Sequence, residues 1–496
     1  MNKKMIFSIL GQLTLIEAVL LLFPTVVSWI YKETQVTSAF VLTIIIAFVI
    51  GAVLCVVSKP KNRVIFAKEG FVIVALGWIL MSAIGALPFF ISKEIPSYVD
   101  AFFETVSGFT TTGATILTNV ENLSYSTLFW RSFTHWIGGM GVLVFIMAVL
   151  PSISDRSIHI MRAEMPGPIV GKIVPKARET AKILYIIYFA MTAIEIVFLL
   201  AGGMPLYDSI VHAFGTAGTG GFGIRNDSIA SYSPYLQWVI TVFMFLFGIN
   251  FNLYYLIILK RLRSAVSSGE LWTYVGISVI SVVIIFFDIR SLYGTLGEAI
   301  RASAFQVSSL ITSTGYATAN VNAWPTLSKT LLVALMFIGA CAGSTGGGFK
   351  VARVVILVKN IRQELKKAIH PRSITATRFE GKIVDKTTLS SVSAYLAIYV
   401  VFFIATILLI SFEPLGMELL GLKSLGVEEL GFEANFTAAL SCFNNIGPIF
   451  SQVDPNISFA KYGDFSKIIL SFAMLFGRLE IYPLLITLIP STWTKK

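Results

Sequence analysis

The chain has 496 residues, of which 55% are hydrophobic and only 13% are charged, and its formal net charge is +11. A mean hydropathy of +0.79 excludes an ordinary soluble protein, because a soluble fold cannot hide so much apolar surface from water. Uncharged stretches such as 38–58 and 71–92 are long enough to cross a bilayer core as helices. We therefore predict an all-α polytopic membrane protein.

Two N-terminal transmembrane helices are predicted at about 5–31 and 38–58. The first resembles a signal peptide, but its apolar run is too long, Glu17 interrupts it and no small-residue cleavage site follows. We expect it to be retained. After residue 66, long apolar spans alternate with apolar segments of about 12 residues, which are too short to cross a bilayer and predict re-entrant helices.

Positive charge is concentrated in alternate loops, while the intervening loops lean acidic, as with Glu413 to Glu433. Because loops rich in Lys and Arg stay on the cytoplasmic side, we predict that the basic loops are cytoplasmic. Aromatic residues are not interleaved with these charges on a soluble module, so we expect no nucleic-acid binding. The basic clusters are Lys59, Lys61, Arg63 and Lys68; Arg156, Arg162, Lys172, Lys176, Arg178 and Lys182; Lys260, Arg261 and Arg263; and the segment 350–386.

A glycine turn follows each of the short apolar segments. A single turn of this kind would be an ordinary helix-ending turn. Four copies, all on the side of the membrane opposite the basic loops, predict that the turns converge in a ring. Irregular backbone at membrane depth is tolerated only inside protein or along a water-filled path. The turns are "TTTGA" at 110–114, "GTGGF" at 218–222, "TSTGY" at 312–316 and "NNIGP" at 444–448.

A ring of this kind suits a dehydrated monovalent cation. Backbone carbonyls can replace its hydration shell, and glycine permits the backbone angles that expose them. The C-terminal ends of the short helices would add a favourable dipole, and nearby Thr and Ser hydroxyls suit the same task. The four turns contain no Asp or Glu, which argues against a divalent-selective site.

These turns give the sequence a resemblance to the TrkH/KtrB/HKT superfamily of potassium-translocating proteins, and the two extra N-terminal helices make it most similar to the TrkH branch. The resemblance covers essentially the whole chain and implies four membrane–pore–membrane repeats around a central pore. All four filter glycines are present, which in the family goes with potassium preference. The residues implied to hold the transported, filter-bound potassium ion are Thr111, Thr112, Gly113, Thr219, Gly220, Gly221, Ser313, Thr314, Gly315, Asn445, Ile446 and Gly447.

The same resemblance implies a domain division and partners. We expect two N-terminal helices in 1–66 and pore repeats in 67–155, 156–265, 266–380 and 381–496. We further expect a homodimer in the bacterial cytoplasmic (inner) membrane, with both termini cytoplasmic. A cytosolic nucleotide-binding ring of the TrkA/KtrA type would regulate it.

The segment "GACAGSTGGGFK" at 339–350 interrupts the second span of the third repeat. It lacks the Lys-Ser/Thr ending of a phosphate loop and follows an apolar span, so we reject nucleotide binding. Small residues could simply permit close helix packing, but five glycines favour an unwound helix. The resemblance implies an intramembrane gating loop beneath the filter, formed by Gly343, Ser344, Thr345, Gly346, Gly347 and Gly348.

Arg478, in "LFGRLEIYPLL", is predicted near the middle of the last span. A charge at that depth is costly and usually faces a partner or a water-filled cavity. Glu480 is two residues away on the same predicted helix, which disfavours a direct pair, although it could hold the orientation of Arg478. The resemblance places this arginine in the permeation path below the filter, as part of the gate.

The leading hypothesis is therefore a gated potassium uptake pore. The alternative is a potassium symporter coupled to protons or sodium, which would need a titratable relay, and only Glu17, Glu195, Arg478 and Glu480 are available for it. A vestigial pore in a structural subunit is a further possibility. We predict no enzyme and no catalytic residue, because no metal-ligand pair, Ser–His or Cys–His set, or facing aspartyl pair is present.

Overall fold

The computed structural model describes residues 1–60, 66–141, 177–372, 376–419, 430–450 and 458–493. Regular structure in these ranges is helical except for one antiparallel pair of two-residue strands, Arg378–Phe379 and Lys382–Ile383. Six helices of the described part are long and apolar enough to cross a membrane, or up to eight if each of two bent helix pairs counts as one span. The predicted all-α polytopic fold is confirmed.

The two N-terminal spans lie where the sequence predicted them. Lys3–Leu20 and Leu22–Ile30 form one span of 28 residues, and Thr34–Val57 forms the next. They cross at two glycines: a Cβ added to Gly11 would lie 2.8 Å from the carbonyl oxygen of Gly51. This is the close backbone approach that small residues permit between membrane helices.

Four repeats follow, and each consists of an outer helix, a half-helix, a glycine turn and an inner helix. Outer helices 1–4 are Ala67–Gly85 (continued by Leu87–Ile91), Ala177–Ala201, Gly269–Ile289 and Lys386–Leu419. Half-helices 1–4 are Tyr98–Phe109, Leu206–Gly218, Leu296–Ile311 and Gly431–Phe443. Inner helices 1–4 are Tyr125–Gly139, Pro234–Phe247, Thr326–Ile338 and Asp464–Arg478.

Shorter elements connect these parts. The other described α-helices are Phe251–Ile258, Leu262–Val266, Val351–Ile369 and Tyr482–Leu488. The 3-10 turns are Val120–Asn122, Arg290–Leu292, Val321–Ala323, Phe459–Lys461 and Pro490–Thr492. In repeats 1, 3 and 4 a 3-10 turn lies between the glycine turn and the inner helix, which is a further mark of the internal symmetry.

The half-helices have similar lengths of 12, 13, 16 and 13 residues, as the short apolar segments predicted. Each carries an acidic residue in its first turn: Asp100, Asp208, Glu298 and Glu433. A negative charge there complements the positive end of the helix dipole. The negative ends of all four half-helices therefore lie at the glycine turns.

The inner helices of repeats 1, 2 and 4 are shorter than the long second spans that the sequence predicted, and that of repeat 3 is interrupted as expected. They contain 15, 14, 13 and 15 residues. Inner helix 2 meets Phe251–Ile258 at a bend of 88°, and inner helix 4 meets Tyr482–Leu488 at 119°. Inner helix 3 leads into the non-helical segment 339–350. The break is thus a property of several repeats and not of the third alone.

Glycines near these breaks bring the inner helices against the half-helices. A Cβ on Gly138 would lie 1.9 Å from the carbonyl oxygen of Phe109, and one on Gly477 would lie 2.2 Å from that of Phe443. Phe109 and Phe443 are the last residues of half-helices 1 and 4. Inner helices 1 and 4 therefore touch the backbone immediately before the glycine turns.

Part of the predicted loops lies outside the described residues. This applies to the boundary between repeats 1 and 2 at 155/156 and to the basic residues Lys61, Arg63, Arg156, Arg162, Lys172 and Lys176.

Gly51→Val is expected to lower the stability of the folded protein by about 1–3 kcal/mol, the usual cost of overpacking. The new Cβ would lie 2.8 Å from Leu15 Cγ and 2.9 Å from the carbonyl oxygen of Gly11. The unfolding temperature in detergent measures the effect. Gly276→Val is the matched control, because a Cβ on this helical glycine meets no atom within 4 Å. Equal unfolding temperatures for the two variants would contradict the close crossing.

Candidate functional site

The four glycine turns share one backbone conformation. The residue two positions before each glycine has a left-handed φ of 54–57°, and the glycines have φ of 78°, 78°, 81° and 105°. In each turn, the amide directly before the glycine donates to a carbonyl of its own half-helix at 2.8–2.9 Å. These bonds are Thr112 to Ser107, Gly220 to Gly215, Thr314 to Ser309 and Ile446 to Ser441.

The turns also close into a ring. A Cβ added to each glycine would point at the carbonyl oxygen that precedes the glycine of the next repeat, and the fourth repeat returns to the first. The separations are 2.0 Å from Gly113 to Gly220, 1.9 Å from Gly221 to Thr314, 2.0 Å from Gly315 to Ile446 and 2.8 Å from Gly447 to Thr112. All are below the 3.0 Å that real Cβ atoms observe, so only glycine fits without a shift. The twelve residues named from the sequence thus come together.

The threonine hydroxyls of turns 1 and 3 are engaged with each other. Thr110 Oγ1 lies 2.7 Å from Thr112 Oγ1, and Thr312 Oγ1 lies 2.8 Å from Thr314 Oγ1. All four side chains are buried. Thr111 Oγ1 is also buried and has no hydrogen-bond partner among the described residues. Each turn therefore offers backbone carbonyls, and turn 1 also keeps one unengaged hydroxyl.

Turn 4 uses amides where turns 1 and 3 use hydroxyls. Asn445 Nδ2 donates to Thr112 Oγ1 and to the carbonyl oxygen of Met474, both at 2.9 Å. Asn444 Oδ1 accepts from the hydroxyl of Tyr399 at 3.0 Å. The two asparagines therefore anchor turn 4 to turn 1, to inner helix 4 and to outer helix 4.

The glycine-rich segment 339–350 is unwound, as its composition predicted, and it lies against turns 3 and 4. The amide of Gly347 donates to Ser313 Oγ. A Cβ on Gly347 would lie 2.3 Å from the carbonyl oxygen of Asn444, and one on Gly346 would lie 2.8 Å from that of Thr312. The side chain of Lys350 donates back to the carbonyl of Gly346 within the same loop.

Arg478 is the last residue of inner helix 4, at the 119° bend, and not at the middle of a continuous helix. Its Nη1 donates to the carbonyl oxygen of Thr345 at 2.8 Å, and its Nη2 donates to those of Gly138 and Gly139, the latter at 2.8 Å. One guanidinium therefore joins the glycine-rich loop to the end of inner helix 1. Its rigid fork of donors suits several carbonyls at once.

Glu480 forms an ion pair with Arg353. The distance from Arg353 Nη2 to Glu480 Oε2 is 2.6 Å. Arg353 belongs to Val351–Ile369, the helix that begins directly after the loop. Glu480 and Ile481 both have positive φ, which records the sharp turn after Arg478. The pair fastens that turn to the far end of the loop.

Sequence reasoning missed a polar group behind turn 1. Arg131 and Glu104 form an ion pair at 2.7 Å, and their side chains are 2% and 0% exposed. His135, which looked like an isolated histidine, lies on the same face one helical turn later. The sequence did contain a signal of this ion pair. Two apolar segments of one repeat carry opposite charges: "DAFFETVSGF" contains Glu104 and "LFWRSFTHW" contains Arg131.

The fold and the ring together define a membrane transport protein built from four repeats. A family model described as "Cation transport protein" and named TrkH matches residues 36–270 and 294–495. This chain therefore belongs to the TrkH family.

Individual relatives span the whole chain. It is 34% identical over 500 residues to the "Trk system potassium uptake protein TrkH" of Salmonella typhimurium, covering 99% of this chain and 100% of that one. It is 33% identical over 482 residues to the "Trk system potassium uptake protein TrkG" of Escherichia coli K12, covering 96% of each. The crystal structure of the potassium transporter TrkH from Vibrio parahaemolyticus matches with a TM-score of 0.86 and 31% identity, covering 100% of both chains.

Ser313→Ala should loosen the glycine-rich loop, because it removes the oxygen that accepts from the Gly347 amide. We expect backbone amides of 343–349 to exchange hydrogen up to about tenfold faster, in line with the loss of one net hydrogen bond. Hydrogen–deuterium exchange with mass spectrometry measures this. Ser328→Ala is the control, since its hydroxyl donates to Asp288 Oδ2 at 2.6 Å elsewhere in the same repeat. Unaltered loop exchange in Ser313→Ala would contradict the contact.

Proposed function

We propose that this protein takes up potassium across the cytoplasmic membrane through the ring of glycine turns. The observation that carries the proposal is the closed set of glycine-to-carbonyl contacts from repeat to repeat. The relatives named as Trk potassium uptake proteins support the choice of ion. The repeat division at 67–155, 156–265, 266–380 and 381–496, each with one turn, is part of this proposal.

In the proposed mechanism, carbonyls of the three residues at each turn replace the water around a dehydrated potassium ion. These are the carbonyls of Thr111 to Gly113, Thr219 to Gly221, Ser313 to Gly315 and Asn445 to Gly447. The negative dipole ends of four half-helices lower the energy of a cation at the centre. The turns contain no carboxylate. The ion is therefore not held by a fixed negative charge that would hinder its release.

The glycine-rich loop and Arg478 form the proposed gate below the ring. The loop lies against turns 3 and 4, and Arg478 holds its carbonyl at Thr345. The positive charge of Arg478 adds an electrostatic barrier: at an effective dielectric near 20, two unit charges about 8 Å apart repel by roughly 2 kcal/mol. Opening requires the Gly347 bond to Ser313 and the Arg478 bonds to Gly138 and Gly139 to break, while the Arg478 bond to Thr345 lets loop and charge withdraw together.

A symporter coupled to protons or sodium is the alternative. Glu17 is fully buried, and neither of its carboxylate oxygens has a hydrogen-bond partner among the described residues. Glu480 is bound to Arg353. A relay needs carriers that hand protons to one another, and these contacts favour the uncoupled pore. Potassium flux into liposomes that persists without a proton or sodium gradient would separate the two mechanisms.

Regulation is proposed to reach the gate through Val351–Ile369. This helix begins at the residue after Lys350, and basic side chains such as Lys366 and Lys367 lie in its last turn. We propose that a cytosolic nucleotide-binding ring of the TrkA/KtrA type acts on this helix, that the protein is a homodimer in the inner membrane, and that both termini are cytoplasmic. A force on the helix would pull directly on the loop.

Gly113→Ser is expected to reduce the preference for potassium over sodium by about tenfold, which equals 1.4 kcal/mol of discrimination. The new Cβ would lie 2.0 Å from the carbonyl oxygen of Gly220, so the junction between turns 1 and 2 must shift. Competitive cation flux in liposomes measures the ratio. Gly203→Ser is the matched control, because Gly203 also has positive φ but its Cβ would meet no atom within 4 Å. A wild-type ratio in folded Gly113→Ser would remove Gly113 from the filter.

Arg478→Ala should raise potassium flux per folded molecule by up to about 30-fold, since it removes a repulsion of roughly 2 kcal/mol. Arg478→Lys keeps the charge and most of the electrostatic barrier but not the fork of donors, so its flux should lie between those of the wild type and Arg478→Ala. Flux in liposomes, normalised to folded protein, gives the answer, and Arg290→Ala on a 3-10 turn serves as the control. Equal or lower normalised flux in Arg478→Ala would place this arginine outside the permeation path.

A further inference from the structure

The buried ion pair in repeat 1 holds the backbone that follows the first glycine turn. Glu104 Oε2 accepts from the amide of Ile116 at 3.1 Å, and Glu104 Oε1 accepts from Thr115 Oγ1 at 2.9 Å. Arg131 Nε donates to the same carboxylate at 2.8 Å, and its Nη2 donates to Thr115 Oγ1 at 3.3 Å. The carboxylate therefore ties half-helix 1 to the chain leaving Gly113, and the guanidinium fixes the carboxylate.

Arg131 also reaches the neighbouring repeat. Its Nη1 donates to the carbonyl oxygen of Gly223 at 3.4 Å, and its guanidinium carbon lies 4.0 Å from the centre of the Phe222 ring. Phe222 and Gly223 directly follow the second filter glycine. The Arg131 side chain therefore contacts the segments that follow turns 1 and 2, at the junction where Gly113 meets Gly220.

His135 makes a second bridge across this junction, four residues along inner helix 1. Its Nδ1 lies 2.8 Å from the carbonyl oxygen of Gly108, and its Nε2 accepts from the amide of Phe222 at 3.3 Å. These two bonds require the neutral tautomer with the proton on Nδ1. A Cβ on Gly220 would lie 2.3 Å from the imidazole, so the ring packs directly behind turn 2.

Among the residues that the structure describes, this polar bridge has no counterpart at the equivalent positions of the other repeats. Counted from the residue that caps each inner helix, Arg131 corresponds to Ile240, Leu332 and Leu470, which are all fully buried aliphatic residues. Counted back from each filter glycine, Glu104 corresponds to His212, Gln306 and Ala438. A buried ion pair is costly, and in the described part of the chain this one stands only at the junction of turns 1 and 2.

Other junctions are held by different groups. The hydroxyl of Tyr316 donates to the carbonyl oxygen of Phe222 at 3.3 Å and joins turns 2 and 3. Asn445 donates to Thr112 and joins turns 4 and 1. At these three junctions, the contact between neighbouring turns therefore involves a separate set of side chains.

We propose that Arg131 and His135 are positioning residues that set the spacing of turns 1 and 2 and thereby the discrimination between potassium and sodium. This rests on the proposed function of the ring as the selectivity filter. Neither residue contacts the ion: both act through backbone groups that they hold. A loosened junction lets the carbonyls follow a smaller ion, so the variant protein admits more sodium.

The test separates the ion pair's contribution to folding from its contribution to geometry. Arg131→Lys keeps the charge opposite Glu104, but a single ammonium group cannot reproduce the planar fork that reaches Thr115 and Gly223 together. Competitive potassium and sodium flux in liposomes, measured on folded protein, should show the potassium-to-sodium ratio fall by about fivefold, the scale of one or two lost hydrogen bonds. His135→Asn, which is too short to join Gly108 and Phe222, should show the same direction.

Two double variants remove one ion pair each. Arg131→Met with Glu104→Gln should lower the ratio. Lys467→Met with Asp100→Asn should leave it unchanged, because that partly exposed pair, at 2.5 Å, joins inner helix 4 to the start of half-helix 1, at the end away from the turn. A wild-type ratio in folded Arg131→Lys and in the first double variant, with or without a loss of folded yield, would overturn the proposal. Gly113→Ser then tests the filter separately. If Gly113→Ser changes the potassium-to-sodium ratio, only the positioning role of Arg131 and His135 is refuted. If it does not, the proposed filter is refuted as well.

Discussion

The structure depends on an approach of backbone to backbone that leaves no room for a Cβ. At Gly113, Gly221 and Gly315 the carbonyl of the next repeat occupies the place where a side chain would begin. Backbone polar groups at membrane depth need partners or a water-filled path, so such an approach is stable only where the surrounding protein encloses it. The half-helices, the bends of the inner helices and the buried polar groups provide that enclosure.

The same rule operates one layer away from the ring. Gly138 and Gly477 let inner helices 1 and 4 touch the last carbonyls of half-helices 1 and 4. Those inner helices end within a few residues of the contact, which leaves space for the loop at 339–350 and for Arg478. The fourfold pattern is therefore strict in the backbone and relaxed in the side chains: an asparagine, a tyrosine and the Arg131–His135 bridge each join two turns at a different junction.

Sequence alone predicted the features that depend on local pattern. The half-helices follow from short apolar segments, the turns from recurrent glycines, and the unwound loop from five glycines close together. The breaks of inner helices 2 and 4 were missed, because a single glycine such as Gly248 is tolerated inside a membrane helix. A Cβ on Gly248 would lie 2.5 Å from the hydroxyl of Tyr274 in the next repeat, and the sequence does not show that neighbour. The partners of Arg478, Glu480 and Arg131 were missed for the same reason: each lies far away in the chain, and charge alone does not choose among distant partners. The pairing of threonine hydroxyls in turns 1 and 3 needed coordinates, since residues two apart meet only in this turn geometry.

The order of contacts around the ring has a consequence for biosynthesis. Gly113, Gly221 and Gly315 each pack against a carbonyl of the turn that is synthesised next. Gly447, in the turn synthesised last, packs against turn 1. Lys467 of inner helix 4 adds a second late bond to the first half-helix at Asp100. During translation, one side of turn 1 therefore lacks its packing partner until the last repeat has been inserted into the membrane. A chain that ended before the fourth repeat would leave the Thr112 carbonyl without Gly447 and Asp100 without Lys467, so the first repeat completes its packing only with the last.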